Sequence, residues 1–214
     1  MNRFFLFFLI SFFFSCEKQS YQIGDIFFQD LDCGAPCQAI EAVTSGYQGA
    51  QLSHCAIITS IGTSNYDTIL TEAIGETVTQ TTLHDFLNRS NKVFVGRLKD
   101  EYQYMIPDAI TYIQTDLNGK PYDYIFDITD DTYYCSEIIY EGLKIADSSQ
   151  ELFSLRPMTF NEPGTDMPFV HWVEYYEDLG HTIPEGELGL NPGGMSRSDA
   201  IEIIHIYEKP TGMY

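Results

Sequence analysis

The stretch Asp131-Thr-Tyr-Tyr-Cys-Ser-Glu-Ile-Ile-Tyr-Glu-Gly-Leu143, with Cys135 at its centre, decides the interpretation of this chain of 214 residues. A polar, turn-like run precedes the cysteine, and apolar residues follow it at close to helical spacing: Ile138, Ile139, Leu143 and Ile145. The pattern predicts that Cys135 lies at or just before the first turn of a helix. Unpaired backbone N–H groups and the positive end of the helix dipole favour a thiolate there. Cys135 is therefore a candidate nucleophile, although most free cysteines are small buried apolar residues.

A cysteine nucleophile needs a base, and the candidate is His54, in the segment Leu52-Ser-His-Cys-Ala-Ile-Ile-Thr59. A third polar group must orient the imidazole. The candidate is Glu72, on a strand that we expect to pair beside the strand of His54. A carboxylate within a mainly apolar strand is costly unless it has a partner, and His54 would be that partner. The alternative for Glu72 is an outward-facing strand residue.

The rest of the chain reads as strands and helices in one α+β arrangement. Alternating or continuous apolar runs predict strands at 26–28, 53–61, 68–74, 77–79, 92–98 and, at an edge, 200–207. Helical spacing predicts helices at 37–47, 82–88 and 106–117 in addition to the helix of Cys135. Residues 150–195, rich in proline and glycine, are expected to be loops that shape a cleft. The prediction is a mostly antiparallel sheet packed against helices, including the nucleophile helix.

Five short motifs resemble, in consistent order, the permuted papain-like amidases, which are NlpC-type cysteine peptidases of the YiiX and YaeF group. The motifs are Gly24-Asp-Ile-Phe-Phe28, the segment 47–58 ending in Leu-Ser-His-Cys-Ala-Ile-Ile, Glu72-Ala73, Pro121-Tyr-Asp123 and Tyr134-Cys-Ser-Glu-Ile-Ile139. In the unpermuted family the nucleophile helix comes first, whereas here it follows the histidine and the acidic residue. The resemblance covers roughly residues 21–145 and implies a permuted papain-like, NlpC-type fold.

The resemblance implies that Cys135 is the nucleophile, His54 the base and Glu72 the third member of a triad. It also implies that Tyr122 and Tyr134 serve as oxyanion or substrate-binding groups, although a core aromatic is an alternative for Tyr122. The activity implied is hydrolysis or acyl transfer at an amide or ester bond, without a cofactor. The substrate is expected to be a peptide-like cell-wall amide or a lipid-linked amide.

Three further features bear on the site. Glu137 is read as a first-turn carboxylate that caps the nucleophile helix. Cys55, directly after His54, is a second thiol that is unusual beside such a site. The competing hypothesis is a non-catalytic surface lipoprotein that binds a peptide or lipid ligand in the same groove.

The composition excludes some classes of function. The formal net charge is −20, from 31 acidic and 11 basic residues, and such a surface repels nucleic acid. A hydrophobic content of 44% indicates a folded chain. The other histidines show no metal-ligand spacing: His84, His171, His181 and His205.

The first fifteen residues are interpreted as a signal peptide, because a short positive start precedes an apolar run too short for a permanent membrane helix. The run ends in Phe-Phe-Ser-Cys16, which resembles a bacterial lipobox and makes Cys16 a candidate lipidation site. Residues 16–20 would be a tether and 21–214 a single catalytic domain. The protein is thus expected to be an exported lipoprotein anchored in the bacterial cell envelope; an ordinary signal peptide is the alternative.

Cys33 and Cys37 flank a Gly-Ala-Pro turn. A disulfide and a pair of unpaired thiols are both compatible with this spacing, and a metal site is disfavoured because no second ligand pair accompanies it. A redox role is also disfavoured, because the spacing is C-x-x-x-C and no thioredoxin-like unit surrounds it.

Overall fold

The computed structural model describes residues 21–214. Its strands are β1 (Ile26–Gln29), β2 (His54–Ser60), β3 (Ile69–Ile74), β4 (Thr77–Thr82), β5 (Val93–Leu98), β6 (Arg156–Pro157), β7 (Leu188–Gly189) and β8 (Ile201–Glu208). Its helices are α1 (Ala35–Val43), α2 (Leu83–Arg89), α3 (Ile106–Tyr112), α4 (Cys135–Ala146), α5 (Val170–Leu179) and α6 (Pro192–Ser196). A π turn over Ile113–Leu117 continues α3.

Six strands form one sheet in the order β4-β3-β2-β1-β5-β8, and each neighbouring pair is antiparallel. The register pairs Gln29 with His54 and Ile57 with Thr71. His54 and Glu72 are consequently diagonal neighbours on adjacent strands, a distance that polar side chains can bridge. The expected α+β fold with a mostly antiparallel sheet is confirmed.

The sheet buries both of its faces. The larger apolar cluster lies between one face and helices α3 and α4, and the smaller one lies between the other face and α2. Gly142 lets α4 approach α3 closely, because a Cβ there would lie 2.8 Å from the Cδ1 atom of Ile113. This packing holds the first turn of α4 against the start of β2.

The expectation that residues 150–195 are loops is wrong in part. Helix α5 is formed because Trp172 and Tyr176, four residues apart, are both buried in a third apolar cluster with Phe160 and Ala39. Gly180, with φ of 70°, ends this helix in the left-handed conformation. Helix α6 and the two-stranded ribbon of β6 and β7 also lie within this segment.

The other predicted elements are confirmed with shifted ends. Helix α1 spans Ala35–Val43 and not the predicted 37–47, and β4 extends to Thr82 and not to residue 79. Helix α4 begins at Cys135, as predicted, and β8 is an edge strand. Cys33 and Cys37 form a disulfide, with their Cα atoms 5.4 Å apart.

Some sequence predictions fall on residues outside 21–214. These are the signal peptide at 1–15, the lipidation site Cys16 and the tether at 16–20. Within 21–214, none of the helices combines the length and the apolar character needed to cross a bilayer.

Candidate active site

Cys135 is the first residue of α4, and only 7% of its surface is exposed. The backbone N–H of Tyr134 donates to Glu137 Oε2 at 3.2 Å, so the capping interaction predicted for Glu137 is confirmed. Burial raises the pKa of Glu137 to about 9, although the hydrogen bond from Tyr134 acts in the opposite direction. The capping carboxyl is therefore neutral at pH 7, and the positive helix terminus is left to act on Cys135.

His54 lies between Cys135 and Glu72. Its Nε2 atom is 2.6 Å from Glu72 Oε2, and both side chains are buried. Because Nε2 is occupied, Nδ1 is the ring nitrogen left for the hydrogen bond between His54 and Cys135. The structure therefore brings together the three residues that the sequence proposed as nucleophile, base and orienting group.

Arg89, at the end of α2, is a fourth member of this cluster that the sequence reasoning missed. Its Nη2 atom donates to both oxygens of Glu72, at 2.8 and 2.6 Å. Gln29 fixes this end of α2, because its Nε2 atom donates to the carbonyls of Phe86 at 3.0 Å and Ser90 at 2.7 Å. Arg89 thus holds the Glu72 carboxylate in place behind the imidazole.

The electrostatics of the cluster favour a thiolate and an imidazolium. Burial opposes charge on His54, but its hydrogen bonds with Cys135 and Glu72 prevail and raise its pKa to about 9. Burial likewise opposes charge on Glu72, but His54 and Arg89 lower its pKa to about 2. Since Glu72 stays ionised, it stabilises the imidazolium that an activated cysteine requires.

Cys55 influences the ionisation of Cys135. Its thiol donates a hydrogen bond to the Cys135 sulfur, which lowers the pKa of Cys135; burial opposes this shift, and His54 reinforces it. The backbone N–H of Cys55 also lowers the pKa of Cys135. Burial, together with the bond to Cys135, raises the pKa of Cys55, so the proton stays on Cys55. Cys55 thus remains a thiol and favours the thiolate form of Cys135.

The two predicted tyrosines lie at the same cavity as Cys135. A bridge between the backbones of Tyr122 and Tyr133 fixes the 121–123 segment beside the start of α4. Burial and the nearby Cys135 raise the pKa of Tyr122, so its hydroxyl keeps its proton. The hydroxyl of Tyr134 accepts a hydrogen bond from the backbone N–H of Leu190 at 3.3 Å. Tyr134 therefore fixes a wall of the cavity, and its own proton remains available for donation.

The cavity at Cys135 has a volume of about 140 Å³ and a mainly apolar lining. Its lining includes Ile40, Val43, Phe126, Met158, Phe160 and Trp172. Phe126 has a positive φ of 59°, which Asp123 supports by accepting backbone N–H bonds from residues 125–127 at 2.7 to 2.9 Å. The strained backbone of Phe126 thus places its aromatic side chain in the lining of the cavity.

A metal site is not formed by the described residues. Within 21–214, no three His, Cys, Asp or Glu side chains are grouped so that they could hold a metal ion. Cys33 and Cys37, the pair considered from the sequence, are joined to each other.

The fold is that of the papain-like class, with the helix that begins at Cys135 placed after the strand of His54. Over residues 20–205 the sequence matches the C92 family, described as permuted papain-like amidase enzymes of the YaeF/YiiX type. The chain belongs to this family, and the resemblance stated from its motifs is confirmed.

A solved structure agrees with this assignment of fold. It is described as metalloprotein yiiX from Escherichia coli O157:H7, DUF1105, and is 22% identical in sequence, with a TM-score of 0.66. The match covers 88% of this chain and 98% of that one. A likeness at this identity concerns the fold alone. A comparison with curated proteins found no match.

Proposed function

We propose that this protein is a cysteine amidase or peptidase-type hydrolase that acts through Cys135, His54 and Glu72. The observation that carries the proposal is the series of interactions that runs from the buried Cys135 through His54 to the buried Glu72, which Arg89 binds. A buried carboxylate next to a histidine with a raised pKa and a cysteine with a lowered pKa is characteristic of functional sites.

In the first step, the Cys135 thiolate attacks the carbonyl carbon of an amide or ester. The negative charge that develops on the carbonyl oxygen is stabilised by the backbone N–H of Cys135 and by the hydroxyl of Tyr122. The His54 imidazolium then donates its Nδ1 proton to the leaving amine or alcohol, and an acyl-enzyme remains.

In the second step, neutral His54 takes a proton from water, which attacks the thioester and regenerates Cys135. Glu72 orients the imidazole throughout and stabilises its charged form. Another nucleophile in place of water would make the same site an acyltransferase. Neither step requires a cofactor.

The substrate in this proposal is a peptide-like cell-wall amide or a lipid-linked amide. The apolar lining of the cavity at Cys135 supports an acyl group that is apolar, either an amino-acid residue with an apolar side chain or an alkyl chain. A volume of about 140 Å³ suits one such group rather than a whole substrate, so the remainder would extend outside this cavity.

We also propose that the protein is exported and anchored in the cell envelope through a lipid on Cys16. The apolar run before Cys16 supports this, and so does the Cys33–Cys37 disulfide, because disulfides persist mainly in exported proteins. Incorporation of a labelled fatty acid into the wild type but not into Cys16→Ala is the expected result. Equal labelling of both would contradict lipidation at Cys16.

The function is tested by incubating the full chain with p-nitroanilides and p-nitrophenyl esters of short aliphatic acyl groups and with cell-wall peptides. We expect an acyl adduct on the Cys135 peptide by mass spectrometry and product release over time. Cys135→Ala and His54→Gln should lower the rate by about 10³-fold or more. His84→Gln changes a half-buried histidine on α2 that stacks on Tyr66, and as the matched control it should retain the rate.

Absence of both adduct and turnover in the wild type, with every substrate, would contradict the proposal. The groove would then be better explained by the competing hypothesis of a binding lipoprotein.

A further inference from the structure

A second and larger cavity lies beside the one at Cys135. Its volume is about 570 Å³, and the two cavities share four lining residues: Pro157, Met158, Leu190 and Asn191. Pro157 ends β6 and Met158 follows it, whereas Leu190 and Asn191 connect β7 with α6. The ribbon therefore forms a common wall between the nucleophile and the second cavity.

This wall is hydrogen-bonded to the residues on either side of Cys135 in the sequence. Ser136 Oγ donates to the carbonyl of Leu190 at 3.2 Å, and the N–H of Leu190 donates to the hydroxyl of Tyr134 at 3.3 Å. Leu190 is thus joined to the residue before Cys135 and to the residue after it. The second cavity consequently has a fixed position relative to the Cys135 sulfur.

The second cavity is lined by two arginines, Arg156 on β6 and Arg197 directly after α6. Two other arginines of the described chain are each held by a buried carboxylate, Arg89 by Glu72 and Arg97 by Asp25. In contrast, neither Arg156 nor Arg197 has an ion-pair partner among residues 21–214. Glu151 and Asp199 line the same cavity but do not come within ion-pair distance of these guanidinium groups.

Unpaired arginines in one cavity are notable in a chain with a net charge of −20, because the overall field repels anions. Acidic residues outnumber basic ones by 31 to 11, so carboxylate partners are abundant on this surface. A guanidinium group offers a fork of N–H donors that suits carboxylates and phosphates. Two such groups lining one cavity would attract an anion that the rest of the surface repels.

We propose that the cavity of Arg156 and Arg197 binds an anionic group of the substrate whose scissile carbonyl is attacked by Cys135. This inference rests on the proposed function. It adds that the substrate carries a carboxylate or a phosphate on the far side of the β6–β7 ribbon from the reacting carbonyl. The apolar acyl group then occupies the smaller cavity, and the anion occupies the larger one.

The test measures alkylation of Cys135 by iodoacetamides in the full chain. In each reagent the amide nitrogen carries an alkyl tail, and the series covers tails of increasing length. Each tail ends in a carboxylate, in a phosphonate, or in the neutral ester of one of them (the methyl ester of the carboxylate or the dimethyl ester of the phosphonate). Second-order rates are measured on the Cys135 peptide by mass spectrometry, with unsubstituted iodoacetamide as the reference. At one tail length, we expect an anionic reagent to react about tenfold faster than its ester, which reflects charge-assisted hydrogen bonds to arginine.

Two variants test whether the two arginines cause the preference for the anionic reagent. Arg156→Gln combined with Arg197→Gln should remove it, so that the anion reacts no faster than the ester. Lys209→Gln removes one positive charge from an exposed side chain elsewhere and should retain the preference. Unsubstituted iodoacetamide should react at the same rate in all three proteins.

The outcomes separate the two proposals. A slow reaction with unsubstituted iodoacetamide in the wild type would contradict the proposed function. Rapid reaction without an anionic preference at any tail length, or a preference that persists in the double variant, would overturn the inference alone. A preference for the carboxylate indicates a substrate such as an acidic peptide, and a preference for the phosphonate indicates a phosphate-bearing lipid.

Discussion

At the scale of single residues, the setting of Cys135 combines groups with different contributions. His54 lies between Cys135 and Glu72, Arg89 binds Glu72, and both His54 and Cys55 lower the pKa of Cys135. The sequence indicated Cys135, His54 and Glu72 because each lies in a motif of its own. It gave no sign of Arg89, whose contact with Glu72 spans 17 residues and depends on how α2 packs on the sheet.

Replacing Cys55 should shift the ionisation of Cys135. In Cys55→Ala the thiol donor to Cys135 is lost, so the pKa of Cys135 should rise and its alkylation profile should move to higher pH. Cys55→Ser keeps an O–H donor at the same position and should move the profile less. The profile is measured with iodoacetamide over a range of pH. Identical profiles for the wild type and Cys55→Ala would contradict this role.

Arg89→Met should impair catalysis by releasing the Glu72 carboxylate, while the nucleophile itself is unchanged. We expect kcat/KM to fall on the order of 10- to 100-fold, as small misplacements of catalytic groups commonly cost this much. The free energy of unfolding should fall by about 3 kcal/mol, because a buried carboxylate loses its cation.

Arg97→Met is the matched control for that prediction. Arg97 also binds a buried carboxylate through two contacts, with Asp25 at 2.7 and 2.8 Å. Asp25 lies four residues before Gln29, the strand partner of His54, and so about 13 Å along the strand from the site. Arg97→Met should lower stability to a similar extent and leave kcat/KM unchanged. An equal loss of kcat/KM in both variants would assign the effect of Arg89 to stability alone.

At the scale of elements, the start of α4 depends on a neutral cap. Since the folded pKa of Glu137 is raised to about 9, the folded protein retains a proton that the unfolded chain loses near pH 4.5. The unfolded state therefore binds fewer protons over this interval, and Glu137 makes stability fall as pH rises from about 4.5 to about 9.

Glu137→Gln should flatten that fall, because the amide keeps the oxygen acceptor for the Tyr134 N–H and does not ionise. Glu137→Ala loses the cap and does not ionise either, so it should be about 1 kcal/mol less stable than Glu137→Gln at all pH values. Urea unfolding at pH 5, 7 and 9 measures both effects. A wild-type stability that rises between pH 5 and 9, with the same slope in Glu137→Gln, would contradict the neutral carboxyl.

The elements also show why some of the fold escaped prediction from the sequence. Strands β1, β2, β3 and β5 were recognised because they are nearly continuous apolar runs. Helix α5 was missed because Pro163, Pro168 and Pro184 surround it and because aromatic residues interrupt its helical pattern. Its signal was present in the four-residue spacing of Trp172 and Tyr176, but their burial depends on α1, which is distant in sequence.

At the scale of the whole molecule, the sequence order of the motifs was informative. The order of strand, histidine, acidic residue and nucleophile predicted a permuted papain-like fold, and the match over residues 20–205 confirms it. The two cavities and their common wall were not predictable, because residues 150–195 acquire their structure from contacts with Tyr134, Ser136 and α1.

The net charge of −20 should make stability depend on salt. Like charges on the folded surface repel one another, and salt screens this repulsion over a Debye length of about 10 Å at 0.1 M. We expect Tm to rise by a few degrees between about 10 mM and about 0.3 M sodium chloride, as measured by circular dichroism. A fall in Tm over this range would show that attractive ion pairs outweigh the repulsion.

Activation of Cys135 by His54 is measured by the alkylation rate of Cys135 against pH in the wild type and in His54→Ala. We predict that wild-type Cys135 reacts rapidly well below pH 8.5, near which an ordinary thiol ionises, and that His54→Ala moves the profile towards that of an ordinary thiol. A wild-type profile typical of an ordinary thiol, unchanged by the substitution, would contradict activation of Cys135 by His54.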